Sequence, residues 1–141
     1  MARSWAPSAL LAVLLAGCIP SNVVAVEDRA VATPIATAEF VPATAEAFAG
    51  LYESVEITGA AAAALRKVYY LFRPGGRFTG AALLQDGGEE RFATLSGAFT
   101  LQGGAVVLGE GAEPAQAEMA QDLLRLRGSD GTVVLRRVEL R

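Results

Sequence analysis

The sequence predicts an all-β domain: a small antiparallel meander closing into a barrel of about seven or eight strands, behind a leader and a flexible linker. Three observations carry this. From Gly50 onward, short apolar stretches alternate with glycine-rich turns about every ten residues. Residues 67–72 and 77–84 flank Arg73-Pro74-Gly75-Gly76, and residues 122–127 and 132–140 flank Gly128-Ser129-Asp130-Gly131, so each pair reads as a hairpin. A meander of short strands leaves backbone donors and acceptors at its edges, and closure removes those edges.

The chain begins with a leader. Arg3 is its positive charge, and residues 9–16 form an apolar run too short to span a bilayer. The run ends in Leu15-Ala16-Gly17-Cys18, which resembles the lipobox of bacterial lipoproteins. The resemblance implies that residues 1–17 are a signal peptide removed by cleavage. Cys18, the one cysteine, would become the acylated first residue. It would carry a diacylglycerol thioether and often a third, palmitate-type chain on its amine. One acyl chain binds a membrane marginally, whereas two or more hold stably. Ile19 stands where an Asp would retain a lipoprotein in the inner membrane. The expected location is therefore the cell envelope, in the outer membrane facing the periplasm where the source has two membranes.

Composition narrows the chemistry. The net charge is −3, and losing residues 1–17 leaves 11 basic against 15 acidic side chains, which argues against nucleic-acid binding. There is no histidine, so there is no His general base, Ser-His-Asp triad or imidazole metal ligand. A single cysteine can form neither an internal disulfide nor a thiolate zinc cluster. No cofactor is expected.

Residues 18–43 contain Pro20, Pro34 and Pro42 and keep no helical or strand period, so they read as an extended spacer. The barrel domain is expected over residues 44–141. It opens with a short helical turn at residues 44–49, Thr44 serving as N-cap and Gly50 ending it. Leu51, Val55 and Ile57 then lie at strand spacing on one face. Residues 60–64 read as a loop or a single helical turn. In the first hairpin, Pro74 and a left-handed Gly76 set Phe72 opposite Phe78 and Tyr70 opposite Gly80. The turn Gln85-Asp86-Gly87-Gly88-Glu89 leads to a long strand over residues 91–102, with Gly97 marking a bend or bulge. Gly103-Gly104 turns into a strand at residues 105–108, and residues 109–114 form a loop. Residues 115–120 suit either a helical turn or a strand. In the last hairpin, Gly128 facing Gly131 pairs Leu126 with Val133 and Leu124 with Leu135 as a core face. The same register sets Asp122 against Arg137.

Gly50-Leu51-Tyr52 resembles the Gly-x-Trp that opens lipocalins, with Tyr in place of Trp. Lipocalins often place an arginine of the last strand against that aromatic, which implies the same role for Arg136 or Arg137. The chain is much shorter than a lipocalin, so the expectation is lipocalin-like architecture rather than membership. The pattern of strands and turns also resembles small barrels of envelope lipoproteins, some of which block lysozymes.

The candidate sites follow from this frame. Tyr70, Phe72, Phe78 and Phe99, with Tyr69 and Phe92, would line a cavity for a small apolar ligand or simply fill the core. Arg125, Arg127 and Arg136 would form a basic partner-binding patch on the outer face of the last hairpin. Asp86, Glu89 and Glu90 could supply oxygens to calcium but match no EF-hand spacing. Glu53 and Glu56 fall on opposite strand faces, and Ser96 has no activating base. No catalytic or metal site emerges. The expected function is a lipid-anchored, non-enzymatic binding module for a small apolar ligand or an envelope protein. The alternatives are an inhibitor of a secreted enzyme such as lysozyme, acting through the loop at residues 109–114, and a structural component of an envelope assembly.

Overall fold

A computed structural model of the chain describes residues 34–139; the leader, Cys18 and most of the spacer lie outside them. Nine antiparallel strands follow in chain order. They are β1 (Val41–Pro42), β2 (Gly50–Thr58), β3 (Leu65–Phe72), β4 (Arg77–Asp86), β5 (Glu89–Gln102), β6 (Ala105–Leu108), β7 (Ala115–Ala120), β8 (Leu123–Gly128) and β9 (Gly131–Arg137). A four-residue helix, α1 (Ala45–Phe48), precedes β2, and single 3-10 turns lie at Ile35–Thr37 and Ala60–Ala63.

The sheet runs β7-β6-β5-β4-β3-β2-β9-β8, and pairing of β7 with β8 closes it into an eight-stranded barrel. β1 is an extra strand on the edge of β7, at Met119 and Glu118, beyond the point where β6 stops. Ordered pairing thus begins at Val41, within the stretch expected to be spacer, and Ala43 is buried in the core. Pro42 is tolerated because an edge strand can lack one donor.

The first hairpin has the expected register: Phe72 faces Phe78 and Tyr70 faces Gly80. Gly76 takes the left-handed conformation that the turn needs, with φ 80°. A side chain at Gly80 would start 2.9 Å from the Tyr70 ring, so the ring lies where no other residue leaves room. The last hairpin also keeps its register from Gly128↔Gly131 to Leu124↔Leu135.

Bulges account for the main departures. Pairing of β2 with β9 shifts between Ser54 and Glu56, so Val55 is the extra residue and is 39% exposed. The shift inverts parity along β2. Tyr52 and Ser54 are the buried residues, rather than a face shared by Leu51, Val55 and Ile57. Glu53 and Glu56 fall on the same outer face, since they stand opposite Arg136 and Val134. A second shift lies between Leu65 and Lys67. Gly97 carries no shift; its pairing with Phe78 is in register, and an added Cβ would lie 3.5 Å from the Phe78 ring. Residues 115–120 form a strand because β7 completes the closure. β9 ends at Arg137, and Leu140 lies outside the described residues.

The core gathers at one end of the barrel. Thr44 precedes α1 as expected, although its side chain makes no capping bond. Helix α1 drops Phe48 into the barrel mouth, 4.3 Å from Phe72 and 5.4 Å from Phe99 between ring centroids. Tyr52 donates its hydroxyl to the Phe48 carbonyl at 3.0 Å. Arg137 closes this end. Its guanidinium donates to the carbonyls of Ala49 at 2.6 Å and Ala47 at 2.7 Å and to the Tyr52 hydroxyl at 2.7 Å, with its carbon 5.0 Å from the Tyr52 ring centroid. Arg137 therefore takes the role expected of Arg136 or Arg137. Asp122 meets Arg137 only through the backbone, and its carboxylate pairs with Arg136 at 3.2 Å.

Replacing Arg137 with Ala should lower the unfolding free energy by about 2 kcal/mol, because it removes the donors to the half-buried Ala49 carbonyl and to the Tyr52 hydroxyl. Tyr52→Phe should cost about 1 kcal/mol, since the ring stays packed and one hydroxyl is lost. Urea unfolding of both variants checks the order of the two effects.

Candidate functional site

The four aromatics picked out as ligand-binding residues share one cluster. Tyr70 stacks on Phe72 at 5.3 Å, Phe72 meets Phe78 at 6.3 Å, and Phe99 meets Phe72 edge-on at 5.3 Å. Leu101, Leu108 and Val133 pack around the same cluster. Phe48 fills the space between them. It was missed because its four-residue helix has too little sequence to show a period. Burial pushes the phenol of Tyr70 up. Burial pushes Tyr52 up as well, against the nearby charge and hydrogen bond of Arg137. Tyr69 and Phe92 are on the outer face and exposed.

The three arginines of the last hairpin do share the outer face, and each meets a carboxylate. Arg125 and Arg127 both pair with Glu118 of β7, Arg125 at 2.7 Å, and Arg136 pairs with Asp122. The Arg125 guanidinium also lies 4.0 Å over the Phe40 ring. Partial burial alone would raise the pKa of Glu118, but hydrogen bonds and charge from Arg125 and then Arg127 outweigh it and hold the carboxyl below its ordinary range. Beside this network Leu123 and Val134 are buried, although they alternate with the arginines on the same face.

The opposite end of the barrel is open in two places. Strands β2 and β3 pair only from Gly50–Glu53 against Tyr69–Phe72, and above that they part. The buried Ser54 bridges the gap by accepting the Val68 N–H at 2.9 Å, and Lys67 donates to the Ser54 carbonyl at 2.6 Å. A cleft of about 340 Å³ opens there, lined by Ser54, Val55, Glu56 and Ile57 of β2 and by Ala62, Leu65, Arg66 and Lys67. Two of these are engaged within the protein: Arg66 bonds Gln85, and Lys67 pairs with Glu53 at 3.4 Å.

The second opening is along β5. Its residues 89–98 pair with β4, but only residues 99–102 pair with β6. Over residues 89–97, the other edge pairs with no strand among the described residues. The next loop, residues 109–114, is exposed beyond Gly109; Gly109 donates to the Ala98 carbonyl at 2.9 Å, and Glu113 accepts from Ser129 at 3.1 Å. Asp86, Glu89 and Glu90 lie at the far tip, and among the described residues no three potential metal ligands come together.

No family model matches the chain, and neither the curated proteins nor the solved structures yield a match. What the fold defines is a class: a closed, eight-stranded antiparallel barrel with one extra strand, packed at one end and parted at the other.

Glu118 gives a pH test. A carboxyl held low by its partners stabilises the fold above the pKa it has when unfolded, and that stability is lost as pH falls through the folded pKa. Glu118→Gln should therefore cost roughly 1 kcal/mol at neutral pH. The gap from wild type should shrink as pH drops below the ordinary carboxylate range, which thermal melts at a series of pH values will measure.

Proposed function

We propose that the chain is a lipid-anchored, non-enzymatic binding domain of a bacterial cell envelope. Leu15-Ala16-Gly17-Cys18 supplies the anchor through Cys18, by its resemblance to a lipobox. The barrel is the binding unit, with an architecture like that of a lipocalin: Tyr52 at the start of the first long strand is clasped by Arg137 of the last. One observation supports a place for the binding surface. The aromatic interior is occupied by Phe48 and its neighbours, whereas the other end carries the cleft beside Ser54 and the exposed apolar residues of β5. Recognition therefore belongs to the surface of the open end, and Tyr70, Phe72, Phe78 and Phe99 serve as its rigid base. Arg125, Arg127 and Arg136 carry their own counter-charges, so a partner meeting that face must compete with Glu118 and Asp122.

An inhibitor of a secreted enzyme is the second reading. It is favoured by the exposed loop at residues 109–114, which presents Glu110 and Glu113 and is braced at both ends. On that reading the domain slows lysozyme, and Glu110→Ala with Glu113→Ala abolishes the effect.

Two measurements test the main reading. Fractionation followed by mass spectrometry should find the wild type in the membranes, cleaved before Cys18 and acylated, and Cys18→Ala uncleaved and unacylated; an unmodified Cys18 in the wild type would remove the anchor. Native mass spectrometry of the mature protein should show the acylated chain without a further non-covalent adduct. An adduct lost on denaturation would instead place a ligand inside the barrel.

A further inference from the structure

The free edge of β5 is the longest unpaired stretch of backbone in the described barrel. Neighbouring residues of a strand send their N–H and C=O to opposite sides. Ala98 points its carbonyl away from β4, to Gly109. By alternation Glu90, Phe92, Thr94 and Ser96 also turn their backbone groups away from β4. These residues are exposed on both faces of the strand: Phe92 is 72% exposed on the outer face and Leu95 58% exposed on the inner one. Long edges with exposed apolar residues are usually blunted by a proline, a bulge or a covering segment. The β5 edge has no proline, and its register with β4 is unbroken.

The charge around the edge indicates what would cover it. Asp86, Glu89 and Glu90 stand at its tip, and Glu110 and Glu113 stand at its base, in the loop that Gly109 fastens to Ala98. Arg91 is the one basic residue along it. No ion pair neutralises Glu89, Glu90 or Glu110 among the described residues. A second copy fits poorly, because antiparallel self-pairing about Ala93 brings Glu89 and Glu90 of one copy beside Glu110 of the other.

Building on the binding-module reading, we propose that the β5 edge receives an extended segment of a partner protein by strand addition, and that this segment is apolar at its centre and basic at both ends. Its backbone bonds to Glu90, Phe92, Thr94 and Ser96. Its central side chains lie beside Phe92 on one face and Leu95 on the other, and its basic ends meet the two acidic clusters.

The test uses the mature lipoprotein in detergent micelles and a synthetic peptide, Lys-Lys-Val-Thr-Val-Thr-Val-Lys-Lys, followed by amide hydrogen exchange. Binding should slow exchange at Glu90, Phe92, Thr94 and Ser96 by tenfold or more and should weaken as salt rises. Replacing the lysines with glutamates should abolish binding, as should N-methylating alternate amides. Thr94→Pro removes an outward N–H without taking a bond from β4, and it should weaken binding at least tenfold. If that variant misfolds, the N-methylated peptide still decides the point. Equal binding of both peptide charges, protection elsewhere, or concentration-dependent self-association that protects these amides without peptide would each overturn the proposal. A peptide that fails to bind removes the edge assignment, while the membrane and mass measurements judge the binding-module reading separately.

Discussion

The guanidinium of Arg137 is the interaction on which the closed end depends. Helix α1 is four residues long, far below the length at which a helix holds itself. Its carbonyls have no intrahelical partners, and a buried helix end without partners is costly. Arg137 donates to the carbonyls of Ala47 and Ala49 and to the Tyr52 hydroxyl, so the last strand holds the segment that leads into the first long one. Gly50 is needed beside it, since an added Cβ would collide with the arginine head and φ there is +151°. With α1 held, Phe48 stays among Phe72 and Phe99, and the barrel is filled at that end.

The other end is built on a different principle. Above Glu53 the wall between β2 and β3 is maintained by one serine hydroxyl and one lysine rather than by a ladder. Above Ala98 the wall between β5 and β6 is absent. The upper part of the β3-β4-β5 sheet is thus supported from within the sheet and little from the sides. Regions with few buried apolar contacts and exposed backbone open at lower free energy than the core. The domain therefore combines a closely packed aromatic base with an upper sheet that has fewer supports at its sides.

Much of this architecture was legible in the sequence. Arg73-Pro74-Gly75-Gly76 and Gly128-Ser129-Asp130-Gly131 set both hairpin registers, because turn chemistry is local: Gly76 takes a positive φ, and Gly131 leaves no room for a Cβ beside the Thr58 carbonyl. The pairing of Tyr52 with a C-terminal arginine was also foreseeable, through the lipocalin-like Gly-x-aromatic. Bulges were not. Nothing in Ser54-Val55-Glu56 marks Val55 as an extra residue, yet that one insertion exchanges the two faces of β2 and moves Glu56 to the side of Glu53. The site was harder to read for a related reason. Phe92 and Leu95 look like core residues by composition, but Phe92 falls on the outer face, and inward-facing Leu95 is exposed because β6 is only four residues long and leaves most of β5 without a neighbour.

The extra strand has a bearing on how such molecules can associate. β1 occupies the remaining edge of β7, is two residues long, and contains Pro42, which has no N–H to offer a further neighbour. The parting between β2 and β3 is already bridged by Ser54 and Lys67. A sheet with two receptive edges can add units indefinitely and grow into a fibre. Among the described residues this barrel leaves one long edge unpaired, so a strand added there would leave no second edge on the barrel for growth into a fibre.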